Sequence, residues 1–161
     1  MHTGVYNIQP LIRSKDPYLL NFFLNHSAIY PYLIQDDAPE YLDVTEILKD
    51  ENVFFFAVNR GGLLFLPISD KVYKIDAYFL PRNRGVRAKN VIAKAIKYMF
   101  EQAKADKIIA EIPACNKHSA VMASSMDFKK VRTDKNAWFK NGVQYDVATY
   151  ELRALKNDEY S

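Results

Sequence analysis

The residues best suited to chemistry lie in one junction, Tyr78-Phe79-Leu80-Pro81-Arg82-Asn83-Arg84-Gly85-Val86-Arg87-Ala88-Lys89. A run of strand formers enters a short turn of Arg and Gly, and a helical pattern starts directly after it. The first N–H groups of a helix have no acceptor within it, and the aligned peptide dipoles add partial positive charge there. Such an end suits an anion like a diphosphate. Gly85 would let the backbone come close to the anion, and Arg82, Arg84 and Arg87 would add charge and forked donors. The ordinary alternative is a loop with solvated arginines, and this segment alone leaves the two level.

The junction needs a strand before it and a helix after it, and the pattern supplies both. Residues 53–58, 63–68 and 72–80 are three runs of strand formers. The turns Arg60-Gly61-Gly62 and Ser69-Asp70-Lys71 separate them, so an antiparallel meander is expected. Ala88, Ile92, Ala95, Ile96, Met99, Phe100 and Ala103 then recur at three and four residues, which predicts a helix over about 86–104. Residues 107–112 form a short apolar strand closed by Pro113. Residues 117–126 can form another helix, and 128–131 and 138–139 are strand pieces. Asn141-Gly142 is a strong hairpin signal before a last strand over 143–152. Upstream, 6–12 is a first strand, and Asp16-Pro17 is a cap and first helical residue. Irregular structure or short helical turns are expected over 27–41, and Asp43-Val44-Thr45-Glu46 opens a short helix ending near Lys49. A strand, a long helix and a second strand normally make the two strands parallel neighbours. The expected architecture is a mixed α/β sheet with helices on its faces.

Bulk properties narrow the function classes. The 161 residues fit a single domain over 1–161, with 156–161 a flexible tail. A net charge of +3 is weak grounds for a nucleic-acid binder. One cysteine, Cys115, allows no intrachain disulfide, so a reducing cytoplasm is expected. The first residues show no basic segment followed by an apolar run, so no signal peptide is expected. No apolar stretch is long enough for a bilayer-spanning helix. No Cys/His pair has metal-ligand spacing, so no metal is expected. Cys115 and His118 stand too close in sequence for a usual nucleophile–base dyad.

Four motifs in order carry a resemblance. Arg82 to Arg87 resembles motif A of the GNAT acetyltransferases, Gln/Arg-x-x-Gly-x-Gly/Ala, with Gly85 as its first glycine. Ile108-Ile109-Ala110-Glu111-Ile112-Pro113 follows as a strand. Asn116-Lys117-His118-Ser119 resembles the Asn-x-x-Ser/Ala that begins the next helix, and Met126-Asp127-Phe128 resembles the Gly-Phe step after it. The stretch 139–152 is similar to the closing hairpin of the ribosomal-protein-alanine acetyltransferase branch and of short GNAT-like proteins of tailed phages. The match is strongest over 53–152.

The resemblance implies a GNAT fold with about seven strands and about four helices. It implies acetyl-coenzyme A held where two parallel strands splay apart. The pyrophosphate would lie on Arg84, Gly85, Val86, Arg87 and Ala88, with Arg82 and Asn83 beside it. The pantetheine arm would pair with the strand edge at Tyr78, Phe79 and Leu80, and Asn116 would contact the cofactor. An amine on a protein N-terminus, a lysine or a small molecule would attack the thioester directly, in a monomer or homodimer. Three positions depart from the pattern. Arg87 replaces the second Gly/Ala, Asp127 replaces the glycine before Phe128, and Ala123 stands where the family often carries a general-acid tyrosine.

Ser119 could protonate the departing thiolate, or serve only as a hydroxyl of the helix start. Asp76 and Glu111, on the two strands flanking the cleft, could act as base, or be surface carboxylates. His118 is more ordinarily solvated, and Tyr78 and Tyr145 more ordinarily pack. Two other classes stay open. One is a GNAT-fold binding or assembly protein that has lost catalysis. The other, less expected, is a nucleic-acid module using the arginine cluster.

Overall fold

The computed structural model of the protein describes residues 11–80 and 85–155. The first strand pairs as β1 (Ile12–Arg13), and most of the segment 6–12 expected for it lies outside the described residues. The same holds for the expected tail 156–161. Helix α1 (Pro17–Leu24) starts as its sequence dictates: the Asp16 carboxylate accepts from the Tyr18 N–H at 3.0 Å, and Pro17 takes the first helical position. A short α2 (Tyr30–Leu33) and a single 3₁₀ turn (Ile47–Lys49) follow.

The meander is β2 (Phe54–Val58), β3 (Gly61–Ser69) and β4 (Val72–Phe79). Its first turn sits earlier than expected: Arg60 takes the left-handed conformation (φ 63°), and Gly61 and Gly62 lie within β3. The reason is close packing. A Cβ on Gly61 would run into the Tyr78 carbonyl oxygen, and one on Gly62 would lie 2.5 Å from the Phe55 ring. Helix α3 (Val86–Glu101) buries Ala88, Ile92, Ala95, Ile96 and Met99, the face its periodicity marks. It ends before Lys104, which turns to φ 59°.

Then come β5 (Lys107–Pro113), α4 (Lys117–Ser125), β6 (Lys129–Lys140) and β7 (Val143–Arg153). The two strand pieces expected at 128–131 and 138–139 are one strand. Register shifts between Lys130 and Arg132 and between Asp134 and Trp138 break its alternation. Asn141 (φ 53°) and Gly142 (φ 75°) make the hairpin turn, both left-handed as a type I′ turn requires.

The seven strands of the described residues form one sheet in the order β1-β2-β3-β4-β5-β7-β6, antiparallel except for the β4–β5 pair. Two cores lie on its two faces. Phe54, Phe56, Leu63, Phe65, Tyr73, Phe79 and Ile108 pack with α3 on one. Leu20, Phe23, Leu24, Phe55, Leu64 and Tyr78 pack on the other, under α1. Each such fully buried side chain contributes about 1.5–3 kcal/mol. No helix among the described residues is long and apolar enough to cross a membrane.

Candidate functional site at the splayed strands

β4 and β5 pair only at Val72↔Lys107, Tyr73↔Ile108 and Lys74↔Ile109. Beyond that point both strands run on without pairing to each other. β4 stays held by β3 as far as Phe79↔Gly61, and β5 by β7 as far as Pro113↔Val147. The sheet therefore opens into a V between the carboxyl ends of two parallel strands, where an α/β sheet offers a ligand crevice. Tyr78 and Phe79 sit on the β4 arm of the V, and Leu80 follows them.

Alternation along the strands decides what faces the opening. Tyr73 and Ile108 belong to the α3 core. The residues between them, Lys74, Asp76 and Tyr78 on β4 and Ile109 and Glu111 on β5, therefore share the α1 face. The two carboxylates expected to flank the cleft are brought onto one face, and the charge of Glu111 acts on Asp76. Burial pushes the Asp76 carboxyl above its ordinary range. Lys74, at 3.7 Å, opposes the shift and Glu111 adds to it. A carboxylate raised this way is better matched to accepting a proton near neutrality than an exposed one.

Tyr78 is 6 % exposed and stands on the same face of β4 as Asp76. It packs, as expected, in the α1-side core. Thr149 escaped the sequence reading. It lies directly across from Glu111 on β7, 5 % exposed, and its hydroxyl is buried without a hydrogen-bond partner. Only the register of β7 against β5 reveals it.

Of the expected diphosphate cradle, Arg82, Asn83 and Arg84 lie outside the described residues. Gly85 precedes α3 at φ 84°, ψ −136°, a conformation essentially restricted to glycine, and a Cβ there would meet nothing within 4 Å. Among the described residues no side chain caps this helix start; Val86 and Arg87 are exposed, and Ala88 is buried beneath it. The described part of the cradle fits a diphosphate: an uncapped helix end, open space at its glycine, and a splayed strand edge leading up to it.

At the second helix, Asn116 caps α4: its Oδ1 accepts from the Ser119 N–H at 3.3 Å. Ser119 is half-buried in the first turn, while Cys115 and His118 are exposed. Ala123 is buried in the α3 core, so α4 presents no hydroxyl at that position. Among the described residues no group of three or more His, Cys, Asp or Glu could hold a metal ion.

The mouth of the V is flanked by a second construction. The Asp36 carboxylate accepts from the backbone N–H of Asn141 at 2.6 Å and of Gly142 at 2.9 Å. Gln35 accepts from the Phe139 N–H at 3.0 Å, and the Asp36 N–H donates to the Phe139 carbonyl at 3.0 Å. Lys140 donates to the Pro31 carbonyl. The segment after α2 is thus stitched to the β6–β7 hairpin tip. A cavity of about 450 Å³ lies on the other face, between α4 and β7, lined by Lys117, Ala120, Val121, Ala148 and Tyr150. It holds none of Asp76, Tyr78 or Glu111, so the V is the better candidate.

No protein-family model matches the chain, and no curated protein matches its sequence. Solved structures do match. Mutant forms of the spermidine/spermine N-acetyltransferase SpeG from Vibrio cholerae superpose with a TM-score of 0.73 at 18 % identity, covering 90 % of this chain and 93 % of theirs. The Vibrio cholerae spermidine N-acetyltransferase in complex with CoA and spermine gives 0.74 at 16 % identity, covering 90 % and 94 %. The same enzyme with manganese ions gives 0.70 at 18 % identity, covering 90 % and 92 %. With its V between β4 and β5 and its strand–helix junction at Gly85, this chain has the GNAT acyltransferase fold.

Proposed function

We propose that the chain, as one domain over 1–161, is an acetyl-CoA-dependent N-acetyltransferase acting on a primary amine. The observation that carries this is the V itself, with Asp76 and Glu111 on one face of it. Acetyl-CoA supplies an activated acyl group. The backbone from Arg84 to Ala88 holds the diphosphate, the edge of β4 at Tyr78 to Leu80 takes the pantetheine arm, and Asn116 contacts the cofactor. The amine nitrogen bonds to the acyl carbon, the C–S bond breaks with its electron pair on sulfur, and Asp76 receives the proton shed by nitrogen. Glu111 adds negative charge that favours a cationic acceptor. Ser119 is the candidate donor to the thiolate. The neighbours named for spermidine and spermine support an amine acceptor. With a single cysteine, exposed, the cytoplasm is the natural compartment.

Calorimetry with acetyl-CoA tests the reading: 1:1 binding is expected, weakened by Gly85→Trp or Arg84→Glu. A thiol-release assay over polyamines, lysine and peptide N-termini then reports turnover. Binding without turnover on any acceptor would favour a second reading, a GNAT-fold binding protein. The buried Ala123, which leaves α4 without the usual acid, is the observation on its side.

A further inference from the structure

We propose that the acceptor is an amine carrying its own carboxylate, with Arg132 and Thr149 holding the carboxylate end while the amine lies at Asp76 and Glu111. The inference rests on the reading of the V as the acylation site.

The register sets these residues in one row across the sheet. Asp76 and Glu111 each stand two residues past the last β4–β5 pair, Lys74↔Ile109. Glu111 lies directly across from Thr149, and Thr149 directly across from Arg132. Cross-strand partners share a face, so the row belongs to the α1 face. Arg132 reaches that face through an irregularity. Lys130 pairs with Tyr150 and Arg132 with Thr149, so Val131 is the extra residue of a bulge. Without the bulge, Val131 would stand across from Thr149 and Arg132 would turn to the α3 side. Bulges beside a site re-aim side chains in this way.

The row has a polarity. Carboxylates stand at the V, a hydroxyl follows, and a guanidinium ends it. The Thr149 hydroxyl is buried without a hydrogen-bond partner, and the residue is 5 % exposed. Buried hydroxyls are rarely left so, and one beside a guanidinium suits an oxygen of an anion. Glu111 and Arg132, on either side of it, are exposed. Both are long side chains, and a ligand that pairs with each draws them apart above the hydroxyl. The Arg132 Nε donates to Asp134 at 3.2 Å. The terminal nitrogens of a guanidinium are suited to gripping a carboxylate two-pronged. At the other end the Lys74 ammonium stands 3.7 Å from Asp76, so that end already suits a cation. Neighbouring strands lie about 4.8 Å apart, and amine and carboxylate must be separated by more than that. An ω-amino acid spans the distance, whereas an α-amino group beside its own carboxylate does not. A polyamine would set a cation against Arg132.

The test is thiol release from acetyl-CoA with matched acceptors: aminocaproate against pentylamine, and lysine against cadaverine, each pair differing by the carboxylate alone. The carboxylate-bearing member should have the higher kcat/KM, by about tenfold. Arg132→Gln should raise the aminocaproate KM about tenfold and leave the pentylamine and acetyl-CoA KM values in place, whereas damage to the fold would move all of them. Thr149→Val should act in the same direction, more weakly. Equal kcat/KM within each pair, or an aminocaproate KM indifferent to Arg132→Gln, overturns the assignment. Binding separates this inference from the reading beneath it. With CoA present, aminocaproate should shift the NMR signals of the Arg132 Nε and the Thr149 methyl, and pentylamine should not. If no acceptor turns over, the acylation reading fails and these shifts decide alone: selective shifts keep a carboxylate subsite, and equal or absent shifts end it.

Discussion

Two constructions stand at the same end of the sheet and are built in opposite ways. Between β4 and β5 the chain withholds pairing after three residue pairs and leaves two strand ends apart. At the β6–β7 tip a segment over one hundred positions away adds bonds that the hairpin does not need for its own turn. The first region is open and carries the charge expected of chemistry. The second is closed and carries none of the proposed roles. The contrast teaches that an opening in a sheet must be braced from outside. β3 braces the β4 arm, β7 braces the β5 arm, and the stitched hairpin braces β7.

The largest effect should follow from altering the open region at its charge. Asp76→Asn is expected to lower turnover by about 10²–10⁴-fold while acetyl-CoA binding by calorimetry is kept. The same change should stabilise the fold at neutral pH. Burial raises the native pKa of Asp76 above its ordinary 3.8, so the folded state holds that proton more tightly than the unfolded one. Stability is therefore lost as pH rises from the ordinary value through the raised one. Asn removes the decline, so thermal midpoints of variant and wild type should differ more at pH 7 than at acid pH.

Next in size is the brace on the β4 arm. Gly61→Ala would press a methyl onto the Tyr78 carbonyl, and overpacking of this kind costs about 1–3 kcal/mol. Denaturant unfolding should report the loss, and cofactor affinity should fall with it if the brace sets the width of the V. Smaller, and of opposite sign, is Thr149→Val. Removing a buried hydroxyl that has no partner should raise stability by about 1 kcal/mol. If the hydroxyl serves an acceptor amine, the acceptor KM should rise while the acetyl-CoA KM holds.

The smallest global effect belongs to the closed region. Asp36→Ala should leave the unfolding midpoint nearly in place but speed amide exchange at Asn141 and Gly142. The N–H groups of Gly142 and Asn141 hold the Asp36 carboxyl below its ordinary 3.8, so its stabilising contribution is complete above that value and is lost as pH falls through the lowered one. Exchange protection at the tip should vanish on acidification in wild type and be insensitive to it in the variant. Equal protection in both would mean the stitch is incidental.

Much of this was legible beforehand because local physics decides it. The α3 face follows from its spacing, the hairpin turn from Asn141-Gly142, and the parallel β4–β5 pair from the helix between them. What escaped is what depends on distant partners. Two register shifts hide β6 as a single strand. The two glycines after Arg60 read as a turn, yet they are strand residues chosen for the closeness of Tyr78 and Phe55. The Asp36 stitch joins segments with no sequence signal in common, and the place of Thr149 across from Glu111 needs the register of β7.

The placement of β7 between β5 and β6 bears on how the protein is made. One wall of the crevice leans on a strand that the ribosome produces after every other strand of the sheet. Until residues 143–153 emerge, β5 has an exposed long edge and β6 has nothing to pair with, so the nascent chain carries two unmatched edges at once. Completion of the crevice is then the closing event of folding, and an early halt in synthesis leaves a sheet that stops at β5.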